Sequence, residues 1–227
     1  YFHPTKWELC TPQSAGDFSA IAYHFGKTLA DSLNVHVGLV LNAVGGSTTE
    51  SWIDRWTLEF EYPQVLYNWT EGDFGQDWAR GRAKRNIAAS KVPLQRHPFM
   101  PHYLFDAGML SLKGLNPKGV IWYQGESNSS LAEAKVHELQ LEELINIWRA
   151  DLMDASLPFV IVQIANYSAR DDEAWHMIQE AQMRVGNNMS NTKTVVSADV
   201  CEDHTVHPKT KTILSKRIAD AACELVK

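Results

Sequence analysis

The amino-acid sequence predicts an α/β protein: a three-layer α/β/α domain built on a parallel sheet. Three observations predict it. Four apolar, β-rich runs are each followed by a stretch of helical periodicity, the pattern of a sheet covered by helices on both faces. The first run is apolar on both faces, as a strand between two helical layers is. Polar residues then cluster just past the runs, where parallel sheets of this kind place their sites.

Asp17 is positioned to cap a first helix whose Phe18, Ile21, Ala22, Phe25, Leu29 and Leu33 share one face. VHVGLVLNAV, residues 35–44, reads as the first strand, and GGSTTESWIDRW as a glycine turn leading into a short helix. Residues 58–100, rich in Trp, Arg and Pro, read as an irregular excursion over the surface or around the site. The second strand falls at 119–124. A helix over 132–152 then carries Leu141, Leu144, Ile145, Trp148 and Leu152 on one stripe. PFVIVQIAN (158–166) is the next strand, EAWHMIQEAQMRV (173–185) a helix and TKTVVSADV (192–200) the last strand. A helix over 209–226 closes the chain. No repeat, linker or low-complexity tract interrupts the pattern, so residues 1–227 read as a single domain.

A chain of 227 residues can bury a full core. Its net charge of −6, without a basic stripe, argues against nucleic acid as a partner. No run reaches the ~18 apolar residues of a membrane helix, so no membrane span is expected. Eight Trp suit stacking on sugars, although most Trp in any fold serve packing. Cys10, Cys201 and Cys223 form no CxxC pair, which leaves open one disulfide with a spare thiol or three free thiols. The Asn-x-Ser/Thr sequons at Asn68, Asn128, Asn166 and Asn188 matter only in a eukaryotic secretory setting.

The chemistry concentrates in two stretches. DVCEDHTVHP, 199–208, precedes the last helix, and Pro208 suits the first turn of that helix with His207 at its rim. A histidine with Asp199, Glu202 and Asp203 nearby is the makings of a general base and its orienter, though a His there can equally serve as a cap. GVIWYQGESNSS, 119–130, runs a buried strand into Gln124, Glu126, Ser127 and Asn128. Asn128 and the amides of the Gly45-Gly46 turn are donors of the kind an oxyanion hole needs, while Asn128 alone could be an ordinary turn residue. Base, donors and placement together point to acyl transfer. A competing metal reading takes Cys201, His204 and His207 as ligands. It lacks the second half-site that zinc motifs carry, which His97 and His102 could supply only by tertiary proximity.

NAVGGSTTESW, GVIWYQGESN and DHTVHP, in that order, resemble the SGNH (GDSL-type) hydrolases, and within them the sialate O-acetylesterase and acetylxylan esterase branch of carbohydrate esterases. The likeness spans 15–50, 98–150 and 158–215. The resemblance implies a flavodoxin-like three-layer sandwich and a carbohydrate O-acetylesterase acting without metal or cofactor. Its implied partner is an acetylated carbohydrate, sialic acid or another glycan. The compartment is left open, with a secreted, periplasmic or lysosomal setting favoured over a cytoplasmic one. It implies an oxyanion hole from Gly46, with Gly45, and Asn128, and His207 as base. It further implies Gln124 and Glu126 as supports, and Gln182 as a weaker support or substrate contact.

Two departures from that pattern stand out. The family's nucleophile lies in a Gly-Gln-Ser-Asn segment that has no match here. Ser14 lacks a preceding strand, and Ser47 sits in the oxyanion turn without an elbow motif. The nucleophile is therefore expected upstream of Tyr1, with the present residues the C-terminal portion of the domain and an upstream fragment as partner. The second departure is at the acid three residues before the base, where His204 stands; Asp203 is the nearest carboxylate. A non-catalytic carbohydrate-binding protein on the same scaffold, and the metal-dependent hydrolase, are the alternative readings.

Overall fold

The computed structural model describes residues 5–170 and 172–226. Its helices in chain order are α1 (Pro12–Gly16), α2 (Ala20–Leu33), α3 (Arg55–Phe60), α4 (Pro63–Glu71), α5 (Asp77–Ala89), α6 (Leu131–Ala134), α7 (His137–Asp151), α8 (Glu173–Asn188) and α9 (Thr212–Leu225). The strands β1 (Val120–Trp122), β2 (Phe159–Val162) and β3 (Thr192–Val195) pair in parallel in the order β1-β2-β3. The expected sandwich is present. Along β2, Phe159 and Ile161 enter the core shared with α7 and α8, while Val160 and Val162 enter the one shared with α2 and α9. That alternation is the two-residue strand period with helices on both faces.

Several boundaries differ from expectation. The first long helix is capped by Ser19, whose side chain accepts from the Ala22 amide; Asp17 instead follows α1. The predicted strand at 35–44 belongs to no ladder among the described residues. Leu39 and Val44 do reach the two cores, yet Val35, Val40 and Leu41 stay about half exposed. The composition supplies strand propensity, but only a backbone partner makes a strand.

The stretch read as irregular is instead mostly helical. Asp54 caps α3 by accepting from the Thr57 amide, Pro63 opens α4, and Gly72 closes it in a left-handed conformation. The helix predicted over 132–152 divides into α6 and α7. Pro208 lies in a loop, because α9 starts only at Thr212.

Beneath the site, Trp52, Trp122 and Trp148 pack mutually at ring-centroid distances of 5.8–6.1 Å. Arg149, 6 % exposed, ties the strand ends together by donating to the carbonyls of Leu157, Ser190 and Asn191. Arg149→Ala removes all three of these charged hydrogen bonds and takes the guanidinium from the carbonyl of buried Leu157, while the Asn191 and Ser190 carbonyls keep the Phe159 amide and the Thr192 hydroxyl. It is expected to cost about 3 kcal/mol of stability, read as a lowered urea midpoint at unchanged slope.

Candidate active site

The site assembles at the carboxyl end of β1. Gly125 follows that strand at φ 152°, and a Cβ there would lie 2.9 Å from both Gln182 Nε2 and Ile178 Cγ2. Only glycine fits. Gln182, fully buried on α8, donates to the Gln124 carbonyl (2.7 Å) and accepts from the Ile164 amide (2.9 Å). It therefore locks the backbone beyond β1 to the backbone beyond β2. A 3₁₀ turn, Glu126–Asn128, then carries Asn128 into the interior at 0 % exposure.

Opposite lies the Gly45-Gly46 turn, closed by the Ser47 amide donating to the Val44 carbonyl at 3.2 Å. Gly46 has φ 86°, and a Cβ would meet Trp78 and Phe99 at 2.8 and 2.9 Å. The polar run after it, Ser47 to Ser51, is buried. The two stretches interlock there. Asn128 Oδ1 accepts from the Thr49 amide (3.0 Å) and Gln124 Nε2 (2.7 Å), while the Thr49 hydroxyl lies 3.1 Å from it and 2.8 Å from Gln124 Oε1. Asn128 Nδ2 donates to Glu50 Oε2 at 2.9 Å, and Gln124 Nε2 also reaches the Ser47 carbonyl (3.2 Å). The turn is latched outside by Gln76, which donates to the Glu126 carbonyl and Ser129 Oγ, and by Arg170, which donates to the Ser129 carbonyl. Gly45, Gly46, Gln124, Asn128 and Gln182 thus form one connected unit.

Glu126 faces the last loop. Burial pushes its carboxyl up; its backbone hydrogen bonds and the charges of His207 and Lys211 pull it back. His207 is exposed, and its amide donates to Thr205 Oγ1. The loop is held by Glu202, whose carboxylate accepts from the amides of Lys209 and Thr210 and from the Thr210 hydroxyl. Those bonds, the hydroxyl foremost, bring its pKa down to about 2. Asp199 is committed to Arg217 through two hydrogen bonds (2.6 and 2.8 Å). Asp203 is exposed, its carboxylate 3.9 Å from His204 Nδ1, and its carbonyl accepts from the Ser168 amide.

Among the described residues no three His, Cys, Asp or Glu converge as a metal ion needs. His97 pairs with Asn86 and the Phe99 amide, and His102 with Asp106. Cys10, Cys201 and Cys223 are all free thiols. Ser47 is buried and accepts from the Trp52 indole; Ser14 is spent in the capping box of α1.

Sequence reasoning passed over Thr49, Glu50, Gln76 and Arg170. The signal for the first two was five consecutive polar residues between a glycine turn and a tryptophan, a composition that usually marks solvent rather than a buried network. It also averaged away a local charge. Residues 78–105 hold Arg80, Arg82, Lys84, Arg85, Lys91 and Arg96 with no carboxylate. Beside Gly45, Arg82, Asn86, Arg96, His97 and Phe99 line a groove of about 540 Å³. The Arg82 guanidinium sits 5.2 Å from the Trp78 ring centroid there, whereas Trp69 packs on Phe74.

The chain is 27 % identical to the sialate O-acetylesterase of Mus musculus over 88 % of its own length, and 24 % identical to that of Homo sapiens over 94 %. It spans 41 % of the length of each. A carbohydrate acetylesterase structure from Xanthomonas citri superposes with a TM-score of 0.77 at 28 % identity, covering 97 % of this chain and 44 % of that one. An Arabidopsis thaliana protein, at 20 % identity and a TM-score of 0.55, shares the fold over 88 % of this chain and 66 % of its own. The family model described as carbohydrate esterase, sialic acid-specific acetylesterase matches residues 104–224, more than half of the chain, and the chain belongs to that family.

Proposed function

We propose that these residues supply the base and the oxyanion hole of a carbohydrate O-acetylesterase. The observation that carries the reading is the Asn128 amide, whose oxygen is engaged by Thr49 and Gln124 so that its nitrogen is the donor pole, with one hydrogen on Glu50 and the second in no hydrogen bond among the described residues. A serine hydroxyl attacks the acetyl carbonyl and gives its proton to His207. The Gly46 amide, with Gly45 beside it, and Asn128 Nδ2 hold the oxyanion. Collapse expels the sugar oxygen, which takes the proton from His207. Water, deprotonated by His207, then releases acetate. Neither Ser14 nor Ser47 suits attack, so the serine is assigned to a segment outside these residues. That segment would pair with the open edge of β1. Acetate release from acetylated sugars by the full-length protein tests the reading; a folded protein that releases none sinks it.

The cationic groove beside Gly45 favours a carboxylated sugar, in keeping with the sialate relatives. Arg82→Ala is expected to raise KM roughly tenfold for an acetylated sialic acid and to leave a neutral acetyl ester unchanged. Equal effects on both esters would remove the groove from sugar recognition.

A further inference from the structure

Behind Asn128 lies an arrangement that stability alone does not favour. Glu50 is 6 % exposed, and among the described residues its carboxyl has no ion-pair partner. The carboxyl of Glu133, on α6, interacts with it electrostatically and accepts from Ser130 Oγ at 2.6 Å. Burial pushes both carboxyls up, that of Glu133 to about 7. A buried carboxyl beside a half-buried one, with no cation between them, is costly, and apolar side chains would fill the space at least as well.

The geometry gives the pair a use. An amide can sit in its pocket two ways round. With Oδ1 against the Thr49 and Gln124 donors and Nδ2 against Glu50, every contact is complementary. Turned over, Nδ2 would meet two N–H donors and Oδ1 would meet a carboxyl oxygen. Glu50 takes one of the two Nδ2 hydrogens and leaves the other for a ligand.

Resting on the esterase reading above, we propose that Glu50 is a positioning residue, holding Asn128 so that its second Nδ2 hydrogen meets the developing oxyanion. Glu133 is the second carboxyl of the pair that supports it. Glu50 touches no reacting atom, so its effect passes entirely through Asn128.

The test uses the full-length protein and 4-nitrophenyl acetate, with folding checked by thermal melting. E50A lowers kcat by roughly 10- to 100-fold with KM within about twofold, because only transition-state binding is lost. E50Q, whose amide oxygen still accepts from Asn128, stays within about threefold of the parent. In an N128A background, E50A has no further effect. E50D keeps the charge but withdraws it by one methylene, and a fall in its kcat carries the test if E50A does not fold. Equal losses in E50A and E50Q, additive losses with N128A, or parental kcat in a folded E50D would overturn the proposal. A parent protein without esterase activity would instead sink the esterase reading.

Discussion

Replacing His207 by alanine in the full-length protein is expected to lower kcat for an acetylated sugar by about four orders of magnitude or more. The expected loss is large because, in the proposed mechanism, one imidazole handles the proton in both halves of the reaction: it deprotonates the serine, protonates the leaving sugar oxygen, and repeats the cycle with water. KM should change little, since the base contributes nothing to ground-state sugar binding. His207 is exposed and its imidazole is in no hydrogen bond among the described residues. Stability should therefore stay within about 0.5 kcal/mol of the parent. Melting and kinetics on the same preparation check both halves. A variant with parental kcat would remove His207 from the chemistry.

Asn128→Ala is expected to lower kcat roughly 100- to 1,000-fold, again with little change in KM, as loss of one oxyanion donor does elsewhere. This substitution also disturbs the fold. Asn128 is fully buried, and its removal strands the Thr49 amide and a Gln124 donor. A stability loss of about 1–3 kcal/mol accompanies the kinetic effect. Asn128→Asp separates the two. It retains the acceptor for Thr49 and Gln124 but replaces the Nδ2 donor by an oxygen facing Glu50. Its kcat should fall at least as far as that of the alanine variant, so a near-parental kcat would exclude Asn128 as an oxyanion donor.

Much of the fold was legible because its signals are local. The Val160/Val162 and Phe159/Ile161 alternation, the amphipathic stripes of α7 and α9, and the polar residues after Trp122 each follow from residues near one another in sequence. The stretch 35–44 shows the limit. Its β-rich composition resembles that of β2, but a strand needs a neighbour's hydrogen bonds, which composition does not record. The opposite error fell on 55–89. There Asp54, Pro63 and Gly72 carried the helix starts and stop, but the mean polarity of α5 hid its helical nature, since Ala79 and Ala83 alone are buried.

The site was legible to the same degree. Gln124, Asn128 and the glycine turn were singled out because strand ends in parallel sheets have a known use, and Gln182 by the resemblance alone; the fold brings the four together. Thr49 and Glu50 were missed because they lie 79 and 78 residues from Asn128 along the chain. Only the folded arrangement shows that the second half of the Asn128 pocket comes from the glycine-turn segment. One spatial neighbour was equally hidden. Spacing singled out Asp203 as the nearest carboxylate, and the fold also brings Glu126, 81 residues away along the chain, within electrostatic reach of His207.

On the proposed reading, this chain brings a base and an oxyanion hole to a serine lying outside its own residues. The decisive measurement is labelling of the full-length protein with a fluorophosphonate serine probe, followed by peptide mapping. The expected result is a single labelled serine outside residues 1–227, with labelling slowed in the His207→Ala variant. A label on Ser14 or Ser47, or a folded protein that releases acetate yet takes up no label, would contradict it.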